Sequence, residues 1–514
     1  MHFVASSVAA PVARSKRPAG VRRLYFIDAV RRGYPMQHYR DLLQIRIPTL
    51  RIGVSVLILC YIAPPVAAYD LSALVALAEG ALQGDNVGQP VAGFEIRLLK
   101  KGAPIFHQAF GDWSINRPAN ADSSTKTLSG AVMMALVDSG DAGLSLDSHL
   151  SDFLPEYDVP GLRDIKIRQA FSHTSGIAGD EGSLILLNPN ITLRQAATLI
   201  SQKPLAYGPP GSTFAYGGLS MQAAGAAAEV ASGQAYVDLF AERIAGPLHL
   251  ENTQFVLASD QNPRVAGGIE TTAADFGRFM DMLQNGGVDR ASAVRVLSTN
   301  SVNEMFRRQT SDDQLIAGSP TDNNRYGIGV WLDQLGQAGP TVDVLAAGAR
   351  GFHSWIDRPN GLVFTFATDS TNFGNIEVLS SMMHREILRA VPAADFDLDG
   401  DVDGDDLAVW QGAYGMTPLA DADSDGDSDG SDFLQWQRQL GTGPRAISLS
   451  AVVPEPATFH LLTLAAACRR RRSSALRVPT TRLRGTRTKN RPILAPLWVC
   501  WRACRSPRPT PQLA

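Results

Sequence analysis

Cysteine is nearly missing from this chain: there are four in 514 residues, Cys60, Cys468, Cys500 and Cys504, all near the two ends. No disulfide can staple the interval between them, so a domain there must hold together by its own core. A large charge excess is missing as well. Lys and Arg number 47 against 50 Asp and Glu, a formal net charge of −3, and 19% of residues are charged while 45% are hydrophobic. That composition suits one large folded domain with smaller modules attached. A long hydrophobic run is also lacking, since the apolar stretch Ile52 to Ala63 is short for the roughly 20 residues that cross a membrane as a helix. No nucleic-acid-binding signature is present, and no DNA or RNA partner is expected.

What charge there is has been segregated. Basic ends flank a neutral middle and an acidic stretch from Asp395 to Asp432. Near the start, basic residues, the apolar run and Pro64-Pro65-Val66-Ala67-Ala68 before Tyr69 have the layout of a secretory signal, with Val66 and Ala68 at the small-residue positions. Residues 1–68 are therefore read as a signal region, with Met36 as an alternative start of ordinary length, and the chain is expected to be exported. An uncleaved anchor is the competing reading. Leu59 before Cys60 argues against a lipid anchor.

The middle of the chain carries Ser123-Ser124-Thr125-Lys126 at the head of a helix-like run to Val137. Residues three apart share a helical face, so the Ser123 hydroxyl and the Lys126 amine can meet in one cleft. An alcohol is a weak nucleophile and needs such a neighbour to manage its proton. Two strands are expected before it, Gly93 to Leu99 and Ile105 to Phe110, joined at Lys100-Lys101-Gly102. After it come Phe153-Leu154-Pro155, Ser172-His173-Thr174-Ser175-Gly176, Ala266-Gly267-Gly268-Ile269 with a helix through Met282, and a strand Leu362 to Thr368.

These ordered blocks resemble the superfamily of serine beta-lactamases, penicillin-binding proteins and serine esterases, particularly its class C-like branch, over roughly Leu71 to Val391. The resemblance implies an α/β (α+β) domain at 69–391, an antiparallel sheet flanked by helices with a helical lobe. It also implies a Tyr-x-Asn motif, and Tyr216-Gly217-Gly218 stands in its place, with Tyr216 as general base and no asparagine amide. The third motif, a Lys or His followed by small residues on a strand, is represented only by Ala346-Ala347-Gly348. The main-chain amides of Ser123 and Ala349 would form the oxyanion hole, which needs no particular side chain and is typically worth about 3 kcal/mol of barrier. Arg350 and His353 are candidates to replace the missing cation, and His173 reads as a residue that organises its turn.

The implied activity is a serine hydrolase without a catalytic cofactor, acting through an acyl-enzyme on a small-molecule ester, amide or lactam. Esterase is the leading expectation, because a missing asparagine and cation weigh against grip on a lactam or a terminal carboxylate. A beta-lactamase or D-Ala-D-Ala peptidase is the enzymatic alternative. A catalytically inactive binding scaffold is the alternative from another class.

A second pattern lies at 395–441. Asp395, Asp397, Asp399, Gly400, Asp401, Asp403 and Asp406 occupy positions 1, 3, 5, 6, 7, 9 and 12 of a calcium loop. Asp421, Asp423, Asp425, Gly426, Asp427, Asp429 and Asp432 repeat it, and each loop runs into an amphipathic segment with a tryptophan, Trp410 or Trp436. Alternate carboxylates converge on a hard cation, and glycine permits the sharp turn. Two structural Ca2+ ions are expected in a small all-α domain. The duplicated loops resemble a dockerin, which implies a cohesin-like protein partner. Further on, Val453-Pro454-Glu455-Pro456 with the apolar stretch to Cys468 and the run Arg469 to Arg472 resembles a PEP-CTERM sorting signal at 453–472, which implies membrane sorting machinery and placement in the periplasm, at the cell surface or beyond. The basic tail 473–514 lacks apolar periodicity and reads as disordered.

Overall fold

The computed structural model describes residues 69–443 apart from 141–142, 180–181, 322, 333–343, 371–372 and 424. The signal region, the Pro-Glu-Pro segment, the basic tail and all four cysteines lie outside the described residues.

Alternation of large apolar side chains builds the central sheet. Strands β1 (Gly93–Lys100), β2 (Ala103–Gly111), β3 (Trp331–Leu332), β4 (Val344–Ala347), β5 (His353–Asp357) and β6 (Leu362–Thr368) line up in the order β3-β4-β5-β6-β1-β2. Every neighbouring pair is antiparallel. In β1, Phe94, Ile96 and Leu98 face one side, while Leu99 joins the core on the other; in β6, Leu362, Phe364 and Phe366 oppose Val363 and Ala367 in the same way. Period-two patterning with both faces apolar demands cover on both faces.

Helices supply that cover. On one face lie α1 (Ser72–Gln83), through Leu74, Ala78 and Ala81, and α7 (Phe373–Ala390), through Ile376, Leu379, Met383 and Ile387, the three-and-four spacing of an amphipathic helix. Each of the leucine, isoleucine and methionine side chains so taken out of water contributes about 1.5–3 kcal/mol. Against the other face packs α5 (Ala273–Gln284), with Phe276, Phe279, Met280 and Leu283 buried. It belongs to a helical lobe with α2 (Thr125–Ser139), α3 (Leu193–Ser201), α4 (Leu219–Ser232) and α6 (Thr299–Phe306). The antiparallel sheet between helices is the mixed α/β architecture that the sequence resemblance implies.

Helix α2 is buried on nearly every side, from Thr125 through Leu136. Its polar side chains are consequently matched: Thr127 donates to the Gly329 carbonyl at 3.0 Å and Ser129 to the Val265 carbonyl at 2.6 Å. A helix so enclosed gives its start a fixed position, and Ser123 lies in the turn that leads directly into it.

After Val391 the chain enters the acidic repeat. Helices α8 (Gly404–Ala413) and α9 (Gly430–Gln439) each start at an Asp, Asp403 or Asp429, whose carboxylate caps the first turn, in a capping box with Asp406 or Asp432. The repeat is reciprocal as well: Trp410 donates its indole N–H to the Asp429 carbonyl, and Trp436 donates to the Asp403 carbonyl, both at 2.8 Å. Phe396, Val402, Ala413, Ala420, Ala422 and Trp436 make a small core of their own.

Candidate active site

Ser123 sits in a single 3-10 turn, Asp122–Ser124, that feeds directly into α2. The sequence places it at the head of the helix itself; the tighter turn arises one residue earlier, where Asp122 takes a φ of 46°. The pair still meets. Lys126 is fully buried, and its ammonium donates to Ser123 Oγ at 3.1 Å and to the Ala266 carbonyl at 2.9 Å. The same Nζ stands 4.6 Å from the centre of the Tyr216 ring. Ser123, Lys126 and Tyr216 are thus brought into one place.

The Tyr216 ring is held by neighbours on three segments. It stacks on Trp331 of β3 at 5.2 Å, lies 4.5 Å from the His173 imidazole and 6.1 Å from Tyr326. His173, in the turn between Ser172 and Gly176, is buried with a φ of 60°. Its carbonyl accepts from Ala215 N–H at 2.8 Å and its Nδ1 from Gly217 N–H at 3.4 Å. Burial, with Lys126 nearby, pushes its pKa well below the usual imidazole value, so it is neutral. His173 therefore shapes the tyrosine loop, as its position in the sequence suggests.

Gly217 and Gly218 occupy the place of the second motif because backbone lies against them. Gly218 N–H donates to the Gly179 carbonyl at 3.1 Å. A Cβ on Gly217 would come within 2.0 Å of the same oxygen. Residue 218 caps α4 without any side-chain group.

The turn after β4 supplies the other wall. A Cβ at Gly348 would lie 2.4 Å from the Ala121 carbonyl, and Ser124 donates to the Phe352 carbonyl at 3.2 Å, so this turn presses against the one that carries Ser123. Among the described residues, neither the Ser123 amide nor the Ala349 amide donates to a protein acceptor, and Ala349 is exposed. Two main-chain donors are left for a ligand.

Neither candidate for the missing cation is free to serve. Arg350 forks onto Asp122, Nε to Oδ2 and Nη2 to Oδ1, both at 2.9 Å, and its Nη1 reaches Asp369 at 2.9 Å. His353 lies on the α7 side of the sheet, with Nδ1 against the Gly351 carbonyl and Nε2 against Ser380 Oγ, each at 2.8 Å. Burial lowers its pKa to about 4. Sequence reading missed Asp122 and the Ala266 carbonyl. An aspartate immediately before the serine was the available signal for the first, and the Ala266-Gly267-Gly268 block for the second.

The acidic loops gather their carboxylates as their spacing suggests. Oxygens of Asp395, Asp397 and Asp399 lie within 4.8 Å of one another, as do those of Asp401, Asp403 and Asp406, of Asp421, Asp423 and Asp432, and of Asp427, Asp429 and Asp432. Asp425 lies between, its carboxylate accepting from Asp427 N–H at 3.2 Å. Crowding has an electrostatic consequence: burial, with Asp406 and Asp399 close by, raises the pKa of Asp397 to about 6. An all-oxygen donor set of this kind suits a hard cation.

A family model described as beta-lactamase matches residues 80–377, more than half of the 514 residues. The chain belongs to the beta-lactamase family, whose members are serine hydrolases. Penicillin-binding protein 4 of Amycolatopsis lactamdurans is 29% identical over 221 residues, 37% of this chain and 56% of that protein. A D-aminopeptidase of Cereibacter sphaeroides is 23% identical over 281 residues, 50% of this chain and 52% of that one. The chain thus spans about half the length of these curated relatives. Among solved structures, a beta-lactamase-like protein of Bacteroides dorei superposes with a TM-score of 0.53 at 26% identity, covering 63% of this chain and 99% of its own. A penicillin-binding protein homologue of Caulobacter crescentus, at 15% identity, TM-score 0.51, and coverage of 62% and 98%, shares the fold.

Proposed function

We propose that this protein is an exported serine hydrolase that cleaves carboxylic esters through an acyl-enzyme. The observation that carries this reading is Lys126 Nζ 3.1 Å from Ser123 Oγ, beside two uncommitted amides. Ser123 Oγ attacks the carbonyl carbon while its proton passes to the Lys126 side chain, which enters this step as the neutral amine beside the Tyr216 phenol and leaves it as the ammonium. The amides of Ser123 and Ala349 receive the oxyanion; such a donor is typically worth about 3 kcal/mol, a factor of roughly 100 in rate. Collapse expels the alcohol, which takes the proton back. Water then attacks the acyl-enzyme and releases the acid, regenerating Ser123.

Preference for neutral esters over lactams or carboxylate-terminated peptides is supported by what surrounds the serine. Gly218 offers no amide side chain, Ala346 no cation, and Arg350 is already paired with two carboxylates. A substrate anion would find no anchoring side chain among these groups. Turnover of p-nitrophenyl acyl esters with little turnover of nitrocefin is the expected result; the reverse ranking sinks the ester assignment.

We further propose that each acidic loop binds one structural Ca2+, through the carboxylates of Asp395, Asp397, Asp399, Asp401, Asp403 and Asp406, and of Asp421, Asp423, Asp425, Asp427, Asp429 and Asp432. Support comes from Asp395, which is wholly buried with one carboxylate oxygen, Oδ1, making no hydrogen bond among the described residues. A buried carboxylate oxygen without a donor is costly unless a cation meets it. A cohesin-like partner for the module is supported by the exposed apolar side chains of Met416, Leu419 and Leu434. Calcium titration with chelator reversal tests the metal, and indifference of folding to both counts against it.

A further inference from the structure

The acidic module is gripped by the catalytic body through three side chains, and one of them reaches a proposed metal ligand. The Tyr69 hydroxyl, just before α1, donates to Asp395 Oδ2 across 326 residues. Gly400 N–H donates to the same oxygen at 3.2 Å, leaving Oδ1 buried and without a hydrogen bond among the described residues. The two oxygens of Asp395 are therefore differentiated. Oδ2 is held by two hydrogen bonds and Oδ1 by none, and a carboxylate oxygen of Asp395 lies within 4.8 Å of one from each of Asp397 and Asp399.

The turn between β1 and β2 provides the other two contacts. Lys100 is fully buried and its ammonium donates to the Pro392 carbonyl, in the link between α7 and the first loop. Lys101 Nζ donates to the Asp421 carbonyl at 3.2 Å and the Leu419 carbonyl at 3.4 Å, at the start of the second loop. The same ammonium stands 5.3 Å from the centre of the Phe396 ring, which belongs to the first loop. Two adjacent lysines thus face a segment dense in carboxylates, and they offset its charge only in part.

We propose that Tyr69 is an outer-sphere residue of a calcium site in the first loop, so that calcium binding clamps the C-terminal module onto the β1–β2 turn and braces the catalytic sheet. This rests on the calcium reading above. A hydrogen-bond donor behind a ligating carboxylate fixes which oxygen faces the metal, and loss of such a donor typically lowers metal affinity by 10–100-fold. Metal that binds best when the module is docked stabilises the docked state by linkage. The edge of the catalytic sheet is then held by an ion it does not touch.

The test is calorimetric titration of CaCl2 into the chelator-treated full chain, wild type against Tyr69→Phe, with scanning calorimetry of both proteins in calcium and in EDTA. The expected result is two sites in wild type, one of them weakened about 10–100-fold in Tyr69→Phe, and a calcium-induced rise in the main melting transition that shrinks in the variant. Lys101→Met is the second variant, which leaves Asp395 alone; its calcium-induced rise should shrink too. Equal calcium affinities with equal melting shifts in all three proteins would overturn the clamp while leaving the calcium sites standing. No calcium binding by the folded wild type would overturn both.

Discussion

Arg350 holds Asp122 in a two-point fork, Nε to Oδ2 and Nη2 to Oδ1 at 2.9 Å each, and its own N–H donates to the same carboxylate at 3.2 Å. The pair joins the turn after β4 to the turn that carries Ser123, 228 residues apart in sequence. Asp122 lies in the left-handed region with a φ of 46°, uncommon for a residue other than glycine, and the fork opposes its relaxation. Both proposed oxyanion donors, the amides of Ser123 and Ala349, are each next in sequence to one member of this pair. The fork thus ties together the two turns that present them.

Replacement of Arg350 by Ala should accordingly lower kcat for p-nitrophenyl esters by about 100-fold, the effect of a misplacement on the order of 1 Å, with a smaller change in KM. Arg350→Lys should not restore it, because an ammonium cannot fork. Steady-state kinetics of the two variants decide the matter. A kcat near wild type in Arg350→Ala removes the positioning role.

Gly217→Ala tests why the second motif reads Tyr-Gly-Gly. The added methyl would lie about 2 Å from the Gly179 carbonyl, and overpacking of that kind typically costs about 1–3 kcal/mol. A lowered melting temperature and loss of ester turnover are expected, since the loop that carries Tyr216 must shift. A variant that melts and turns over like wild type would show that this contact is easily relieved.

Acid should weaken the catalytic body in a defined window. Burial raises the pKa of Asp289, but the Arg278 fork at 2.7 and 3.0 Å and Ser292 outweigh it and lower the value to about 2. A carboxylate with a depressed folded pKa contributes stability above its unfolded value near 4, and that stability is lost as pH falls toward about 2. Urea midpoints measured from pH 5 to pH 2 should fall less steeply in Asp289→Asn than in wild type. Parallel curves would contradict the assignment.

Local pattern made much of this structure legible before any coordinates. The alternation in Gly93 to Leu99 and in Leu362 to Thr368 anticipates β1 and β6 within a residue, and Gly102 in the turn after β1 takes the positive φ, 84°, that glycine allows. The Ser-x-x-Lys spacing anticipates the contact between Ser123 and Lys126, and the Asp spacing anticipates both acidic loops. Long-range partnerships carry no such periodic signal. Arg350 reads as a rim arginine until Asp122 is seen inside its fork, and Tyr69 reads as the residue after a signal segment until its hydroxyl is found on Asp395. His353 likewise follows a small-residue run that suggests the site, yet its register opposite Ala347 and Phe366 turns the ring toward Ser380.

The central claim is that Ser123 is an activated nucleophile, and intact mass spectrometry after exposure to a fluorophosphonate probe tests it most directly. One adduct mapped to Ser123, absent from a folded Ser123→Ala protein and much reduced in Lys126→Met, is the predicted result, with ester turnover down roughly 10⁴-fold or more in Ser123→Ala. No adduct on the folded wild-type protein, or an adduct that persists in Ser123→Ala, would contradict the account.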